Sequence, residues 1–242
     1  MPIIKLNAID STNNYLRKLI SETDVADYTV VMAKKQTQGR GQMGTVWDSD
    51  NGKNLMFSVF KDLNMYDVEY PFYISMAISL AILKAFKTLN IPDLRIKWPN
   101  DILSADKKVC GILIENVIKN KLNSTIIGIG INANQTEFKD LPKASSLKKI
   151  TGVHYNLDEI LKLVIKYTKE YSSLLQAGKY DFVKKEYETN LFRKNKPSTF
   201  KDVEGALFSG FIKGVTKYGK LQVILEDEIV KKFDLKEITL LY

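Results

Sequence analysis

The 242-residue chain contains a single cysteine, Cys110, and a single histidine, His154. One cysteine excludes a disulfide within the chain, which favours a reducing compartment such as the cytoplasm. Zinc cages need about four cysteine or histidine ligands, so they are excluded, and we expect no protein metal site. A Ser-His-Asp or Cys-His nucleophile would have to be built on His154. The sequence therefore predicts chemistry that works without a histidine base.

Arginine is also scarce, because only Arg17, Arg40, Arg95 and Arg193 accompany the lysines among the 36 basic residues. The formal net charge is +8, but 28 acidic residues are mixed among the basic ones, and no block of five or six like charges appears. This pattern favours a solvated lysine surface over a nucleic-acid patch. Electrostatic steering toward an acidic protein or an anionic substrate stays open.

Long apolar segments are missing as well. No apolar run reaches the roughly 18 residues of a membrane span, and the opening MPIIKLNAID is too short and too polar for a secretion signal. We therefore expect no membrane association and a cytoplasmic location.

Hydrophobic periodicity predicts an α+β fold in two parts. Helical spacing marks residues 12–20, 71–89, 157–171 and 180–188, and apolar runs predict strands at 29–33, 55–60 and 94–98. A hairpin is predicted from 108–115 and 124–132, with its turn at Lys119-Asn120-Lys121. After residue 190, regularly spaced glycines predict short strands that form a small barrel. We predict a mixed α/β domain at 1–189 and a small all-β domain at 190–242.

The long polar loop at 34–53 contains the sequence QTQGRGQMGTVW, residues 36–47. Gly39 and Gly41 flank Arg40, so backbone N–H groups and a guanidinium could meet a phosphate or carboxylate there. The spacing is that of neither a P-loop nor a dinucleotide fingerprint. Taken alone, the pattern also fits a flexible surface loop.

Two further segments mix strand residues with polar ones. In KWPND, residues 97–101, a lysine ends a strand that Pro99 stops, although an ordinary strand-ending turn would look the same. In GIGIN, residues 128–132, Gly128 and Gly130 remove the side chains from one face of a strand. Such a face occurs where a ligand comes close, or at a bulge or a tight strand contact.

Five motifs in this order give the chain a resemblance to a known family. They are STN (11–13), QTQGRGQMGTVW, KWPND, KxxGILIE (108–115) and GIGIN. The chain resembles a biotin–protein ligase of the kind that lacks an N-terminal DNA-binding domain, and the resemblance covers nearly its whole length. A repressor role is therefore not expected.

The resemblance implies a two-step reaction. Biotin and ATP form biotinyl-5′-adenylate, with Mg²⁺ as the metal, and a lysine of a biotin carboxyl carrier domain then attacks it. The implied fold is a mixed sheet flanked by helices, related to class II aminoacyl-tRNA synthetases, followed by a barrel of the Src-homology-3 type. A monomer or a homodimer is implied, with no nucleic-acid partner.

The resemblance also implies residue roles. Arg40 and Lys97 would be catalytic and would bind both the biotin carboxylate and the α-phosphate. The glycines at 111, 128 and 130 would leave a slot for the ring system and tail of biotin. The biotin-binding residues would be Ser11, Thr12, Asn13, Gln36, Arg40, Gly41, Gln42, Lys97, Gly111, Gly128 and Gly130. The ATP-binding residues would be Arg40, Trp47, Lys97, Asn100, Asp101, Lys108 and Asn132.

One position departs from the family pattern, and two alternatives remain. The family commonly has a second arginine where this chain has Gln42, so we expect weaker retention of the adenylate or compensation from Lys34, Lys35 or Lys53. A lipoate or octanoate ligase of the same fold is the nearest alternative, but octanoyl transfer needs a covalent Cys or Lys, and Cys110 lies in an apolar strand. A basic nucleic-acid-binding module is the alternative from another class.

Overall fold

The computed structural model describes residues 1–64, 69–118 and 122–242. The predicted turn at 119–121 lies outside the described residues. The elements are β1 (Ile3–Ile9), α1 (Thr12–Glu22), β2 (Val30–Gln36), a 3-10 turn (Gln42–Gly44), β3 (Leu55–Asp62), α2 (Phe72–Thr88), β4 (Leu94–Lys97), β5 (Asp101–Ser104), β6 (Lys107–Ile118), β7 (Leu122–Ile131), α3 (Leu147–Thr151), α4 (Leu157–Gln176), α5 (Tyr180–Thr189), β8 (Pro197–Asp202), β9 (Leu207–Val215), β10 (Leu221–Leu225), β11 (Val230–Phe233) and β12 (Ile238–Leu241).

The larger sheet has seven strands in the order β1-β2-β3-β7-β6-β5-β4. β1 pairs with β2 in parallel, and the other neighbours pair antiparallel, so the predicted mixed sheet is confirmed. The sequence reading missed β1, which is a largely exposed edge strand. It also placed Asp101 in a turn, whereas Asp101 begins β5 opposite Lys97.

Helices cover both faces of this sheet. Successive strand residues point to opposite faces, so Val31 and Ile126 pack with Leu16 of α1, while Val30 and Ile127 belong to the larger core. On that second face α2 packs against α4, α5, β4 and β5. Among the described residues, no helix is both long and apolar enough to cross a bilayer.

The second sheet is antiparallel, with five strands in the order β11-β10-β9-β8-β12, which confirms a small β-domain at the C-terminal end. The boundary between residues 189 and 190 stays a prediction. The Trp98 indole Nε1 donates to the Gly219 carbonyl at 2.8 Å, and the Val215 N–H donates to a Glu188 carboxylate oxygen at 3.0 Å. A Cβ at Gly219 would lie 2.6 Å from the Phe72 ring. The small β-domain therefore contacts the KWPND turn, α2 and α5.

Candidate active site

The floor of the site is the face of the larger sheet that α1 covers. Strand register aligns Ser58 of β3, Gly128 of β7 and Leu113 of β6 in one row across the sheet. In the next row, Gly130 of β7 lies opposite Gly111 of β6. Three strands that are far apart in sequence thus bring a hydroxyl and three glycines to one patch.

The glycines make room for side chains that cover this floor. A Cβ on Gly128 would lie 2.4 Å from Asn13 Oδ1, and a Cβ on Gly130 would lie 2.5 Å from the Trp47 ring. A Cβ on Gly111 would lie 2.9 Å from the same ring. We expected these glycines to leave an open slot for the ligand. Instead, the space directly above them is filled by Asn13 and Trp47, so glycine is needed to seat these two side chains.

A cavity of about 460 Å³ opens beside these side chains. Residues of the small β-domain, including Lys236, form part of its wall. Every residue with a predicted ligand role except Asn132 lines this cavity: Ser11, Thr12, Asn13, Gln36, Arg40, Gly41, Gln42, Trp47, Lys97, Asn100, Asp101, Lys108, Gly111, Gly128 and Gly130. The five motifs are therefore brought together in space.

Asn132 is the exception. Strand alternation would place it on the same face as Gly128 and Gly130, but β7 ends at Ile131 and the chain turns away. Its side-chain amide faces the Lys108 carbonyl at 3.5 Å, and its backbone N–H donates to the Val109 carbonyl. Asn132 is buried and is not among the described residues that line the cavity.

One end of the cavity is a hydrogen-bonded cluster, which we call the polar end: Thr12, Asn13, Gln36 and Ser58. The Gln36 Oε1 accepts hydrogen bonds from the Thr12 N–H at 2.8 Å and from the Thr12 hydroxyl at 3.0 Å. The Ser58 hydroxyl lies 2.7 Å from Thr12 Oγ1 and 2.5 Å from Asn13 Oδ1. Because these polar groups bond to one another, their geometry is set within the protein itself.

Ser11 stands at the start of α1 beside the polar end. It is the N-cap residue, but its side chain makes no capping hydrogen bond to the helix. The neighbouring Asp10 carboxylate accepts from Asn14 Nδ2 at 2.8 Å, and this bond, together with the Ser11 backbone N–H, lowers the pKa of Asp10. Ser11 is one of the predicted biotin-binding residues. In the structure Ser11 lines the cavity instead of capping the helix.

Glu115 of β6 gathers donors from both α1 and the glycine-rich loop. Its carboxylate accepts from Asn13 Nδ2 at 2.7 Å, and it forms ion pairs with Arg17 at 2.8 Å and Arg40 at 3.3 Å. Arg40 also donates to Asn14 Oδ1 at 2.6 Å. Glu115 appears in the sequence analysis only as the last residue of the KxxGILIE motif, and Ser58 is not among the predicted site residues. The signal for Ser58 was its position as the one polar residue within LMFSVF.

The opposite side of the cavity, which we call the cationic end, is formed by Lys97, Asp101 and Lys108. Lys108 forms an ion pair with Asp101 at 2.8 Å. Burial lowers the pKa of Lys97; the Asp101 carboxylate acts against this shift, and the Lys108 ammonium adds to it. The Lys97 ammonium also lies over the Tyr242 ring, 5.0 Å from its centroid.

The turn that follows Lys97 is held from three sides. The Trp98–Pro99 peptide bond is cis, and the Tyr187 hydroxyl donates to the Pro99 carbonyl at 2.7 Å. The buried Asn100 side chain donates to the Ile112 carbonyl. With the Trp98 bond to the small β-domain, these contacts fix the direction from which Lys97 enters the cavity.

Trp47 lies between the two ends. The Lys108 ammonium lies 5.6 Å from the centroid of its ring. Its indole Nε1 is buried and has no hydrogen-bond partner among the described residues. A buried N–H group without a partner costs free energy, so a ligand atom that accepts this hydrogen bond would be favoured.

Cys110 and His154, the single cysteine and the single histidine of the sequence, are not among the described residues that line the cavity. Cys110 is fully buried, and burial raises the pKa of its thiol. A thiol of this kind is inert as a nucleophile. His154 is exposed in the connection between α3 and α4 and does not line the cavity.

The arrangement suits a ligand with a polar ring at one end and an anionic group at the other. The polar end offers fixed hydrogen-bonding groups, and the cationic end offers Lys97 and Lys108 to a carboxylate or phosphate. Arg40, on the glycine-rich loop, also lines the cavity. Such a site can bring two anions together and stabilise negative charge that develops between them.

Comparisons with known proteins agree with this geometry. The family model described as "Biotin/lipoate A/B protein ligase family" matches residues 6–132. The bifunctional ligase/repressor BirA of Bacillus spizizenii is 30% identical over 184 residues, which are 73% of this chain and 55% of the relative. The chain therefore spans little more than half the length of that relative.

Two further similarities concern enzymes named for biotin. The biotin–[acetyl-CoA-carboxylase] ligase of Mycobacterium tuberculosis is 32% identical over 141 residues, 57% of this chain and 51% of the relative. The biotin protein ligase of Aquifex aeolicus, solved in complex with biotin and ATP, superposes with a TM-score of 0.82 at 26% identity. That similarity covers 99% of this chain and 98% of the Aquifex chain.

Proposed function

Because this chain belongs to the biotin/lipoate A/B protein ligase family, we propose that it is an ATP-dependent biotin–protein ligase. In the first step the biotin carboxylate attacks the α-phosphorus of ATP, which forms biotinyl-5′-adenylate and releases pyrophosphate. In the second step a carrier lysine attacks the acyl carbon, an amide bond forms, and AMP leaves. The observation that carries the proposal is the joining of the polar end and the cationic end in one cavity.

The polar end favours biotin over the acyl groups of the related ligases. The ureido ring of biotin has both donors and acceptors, which Thr12, Asn13 and Gln36 can match. An octanoyl or lipoyl chain has no such groups, and a polar wall without partners would disfavour its binding. The buried Cys110 thiol, with its raised pKa, is also unsuited to carry an octanoyl group.

The residues of the cationic end suit the adenylation step. A carboxylate is already ionised at neutral pH, so it needs no base to attack phosphorus. The obstacle is the repulsion between two anions, and Lys97 and Arg40 would reduce it by binding the carboxylate and the α-phosphate. Holding the two reactants in line can lower the barrier by up to about 7–11 kcal/mol in favourable cases.

The second step needs a neutral amine on the carrier lysine. Lys97 and Lys108 would disfavour a third ammonium nearby, and this like-charge repulsion lowers the pKa of the incoming amine. Asp101 is the one carboxylate among the described residues that line the cavity, and we assign it as the acceptor of the amine proton. Its ion pair with Lys108 places it at the cationic end.

Magnesium fits this site as a companion of ATP. Among the described residues, no three His, Cys, Asp or Glu side chains cluster closely enough to hold a metal ion. Magnesium is commonly held by substrate phosphates with one or two carboxylates, and Asp101 can supply one. When bound, the ion would neutralise charge on the phosphates, while Lys97 and Arg40 orient the reacting groups.

The partner would be a biotin carboxyl carrier domain of a carboxylase. The net charge of +8 supports steering of an acidic carrier toward the cavity. The absence of a nucleic-acid partner, a monomeric or homodimeric state, and a cytoplasmic location stay predictions from the sequence.

Biotin-dependent exchange of labelled pyrophosphate into ATP tests the first step, and transfer of labelled biotin to a carrier domain tests the second. We expect both to require ATP and biotin, and neither to proceed with lipoate or octanoate. Arg40→Ala should slow exchange about tenfold or more, with a rate that can still be measured and without unfolding the protein, whereas Lys18→Ala, which removes an exposed cation on α1, should not slow it. Well-folded protein that shows no biotin-dependent exchange would contradict the proposal.

A further inference from the structure

Glu115 lies beside the cavity but has no role in the reaction steps proposed above. It lies on the α1 face of β6, opposite Ile126, and its side chain is only 17% exposed. It is absent from the lining of the cavity, yet it contacts two residues that do line it. These are Asn13, at 2.7 Å, and Arg40, at 3.3 Å.

The contact with Asn13 fixes the direction of that side-chain amide. Asn13 Nδ2 donates to Glu115, and Asn13 Oδ1 accepts from the Ser58 hydroxyl at 2.5 Å. A flipped amide would place its oxygen against the carboxylate, and two acceptors facing each other repel. The second N–H of Asn13 therefore keeps a constant direction at the polar end.

The contact with Arg40 ties the glycine-rich loop to the same carboxylate. One Arg40 nitrogen lies 3.3 Å from both Glu115 oxygens and 2.6 Å from Asn14 Oδ1. Arg17 forms an ion pair with the same carboxylate at 2.8 Å. With two guanidinium groups around it, the partly buried Glu115 is compensated, and the loop gains an anchor on the sheet.

We propose that Glu115 is a positioning residue that aligns the Asn13 amide and the Arg40 guanidinium with each other, because its carboxylate contacts both. The inference rests on the proposed biotin adenylation, in which Asn13 would contact biotin and Arg40 the reacting anions. Glu115 itself touches neither substrate. It acts through the two side chains that it holds.

Two substitutions separate the two contacts. Glu115→Gln keeps an oxygen that can accept from Asn13 but removes the charge that holds Arg40. We expect kcat of pyrophosphate exchange to fall about tenfold, the size of a lost charge-assisted hydrogen bond, with KM for biotin nearly unchanged. Glu115→Ala removes both contacts and should also raise KM for biotin about tenfold. A purely structural role would leave KM unchanged in both variants.

A double-mutant cycle with Arg40→Ala provides the decisive comparison. If Glu115 acts through Arg40, Glu115→Gln should cause no further loss of kcat in the Arg40→Ala protein. Glu22→Gln is the matched control, because it makes the same change at an exposed carboxylate, 3.8 Å from Lys18. This control should retain full activity.

Each outcome has a defined meaning. Wild-type kcat in Glu115→Gln, or an undiminished further loss in the Arg40→Ala background, would overturn the role of Glu115 while leaving the ligase proposal intact. Absence of biotin-dependent exchange in the wild-type protein would instead overturn the ligase proposal. If Glu115→Gln does not fold, Glu115→Asp serves in its place. Its shorter side chain keeps the charge and should lose part of the activity, and full activity would refute the role.

Discussion

The two ends of the cavity differ in how far the protein satisfies them by itself. At the polar end, Thr12, Asn13, Gln36 and Ser58 bond to one another at distances of 2.5–3.0 Å. At the cationic end, Lys97 is largely buried, and no carboxylate lies within 4 Å of its ammonium among the described residues. The Lys97 ammonium lies over the Tyr242 ring, 5.0 Å from its centroid.

We expect this difference to make the polar end responsible for ligand recognition and the cationic end responsible for the reaction. The internal hydrogen bonds hold the polar groups in fixed directions. A ligand whose own groups do not match these directions leaves polar groups without partners, so it is disfavoured. A desolvated ammonium that lacks a counter-ion gains most when an anion arrives. We therefore expect changes at the polar end to alter mainly KM for biotin, and changes at the cationic end to alter mainly the rate of adenylation.

The largest effect should follow from Lys97→Met, which keeps the stem of the side chain and removes the charge. Pyrophosphate exchange should fall about 100-fold, as it does when one donor to a developing anion is removed. Biotin binding in the absence of ATP, measured by calorimetry, should weaken less, by about tenfold, because Lys97 also binds the biotin carboxylate. Equal losses in biotin binding and exchange would contradict the assignment of binding to the polar end and of reaction rate to the cationic end.

The same variant should gain stability at neutral pH. Burial lowers the pKa of Lys97 in the folded protein, so the unfolded chain binds more protons between that pKa and the ordinary lysine value. Wild-type stability should therefore rise with pH across this interval. The advantage of Lys97→Met in thermal unfolding should be full below the interval and shrink as pH rises through it. An advantage that grows with pH would contradict this account.

A matched pair of substitutions on one strand tests the comparison next. Gly128→Ala would push a methyl group against Asn13, and Gly130→Ala would push one against the Trp47 ring. We expect Gly128→Ala to raise KM for biotin about tenfold and Gly130→Ala to raise KM for ATP about tenfold, as expected where an added methyl overpacks a filled site. Steady-state exchange kinetics with each substrate varied separately would show this, and identical profiles would refute it.

Gln42→Arg should have a smaller effect. Lys34, Lys35 and Lys53 were expected to compensate for the missing arginine, but none is among the described residues that line the cavity, whereas Lys236 is. An added guanidinium should slow dissociation of the adenylate about threefold or more, as one exposed charge contact would. A chase experiment on preformed adenylate measures this rate, and no slowing would refute the idea.

The smallest effect concerns salt. If the surface charge steers an acidic carrier, biotin transfer to the carrier should slow by about threefold between low and moderate ionic strength. Pyrophosphate exchange, which involves neither the carrier nor the outer surface, should change less. Transfer that is insensitive to salt would show that the charge of +8 has no such role.

Much of the site could be predicted because its residues interrupt ordinary patterns. A hydrophobic core does not need glycines within a β-branched strand, as at 128 and 130, or a lysine two residues before a proline, as at 97. The period of the apolar residues indicated helices and strands before residue 189, and regularly spaced glycines indicated the small β-domain, whereas the mixed sheet was implied by the family resemblance. Each of these signals is local, so a linear reading can find it.

What could not be predicted depends on register across the sheet. Ser58 and Glu115 reach the site because β3, β7 and β6 align them beneath α1, and pairing between distant strands is not visible in a local pattern. The family resemblance implied that Asn132 contacts the nucleotide, but in the structure it is not among the described residues that line the cavity. The side chains that cover Gly128 and Gly130, namely Asn13 and Trp47, also come from distant segments of the sequence.

The bond between Trp98 and Gly219 spans 121 residues of sequence, and this has a consequence during synthesis. The polar end and Lys97 leave the ribosome early, but the turn that holds Lys97 gains its last supports only when Gly219 and then Tyr242 have emerged. A nascent chain would thus contain the residues of the polar end before the support of the Lys97 turn is complete. For the ligase that we propose, translation order would delay adenylation until the small β-domain has folded against this turn.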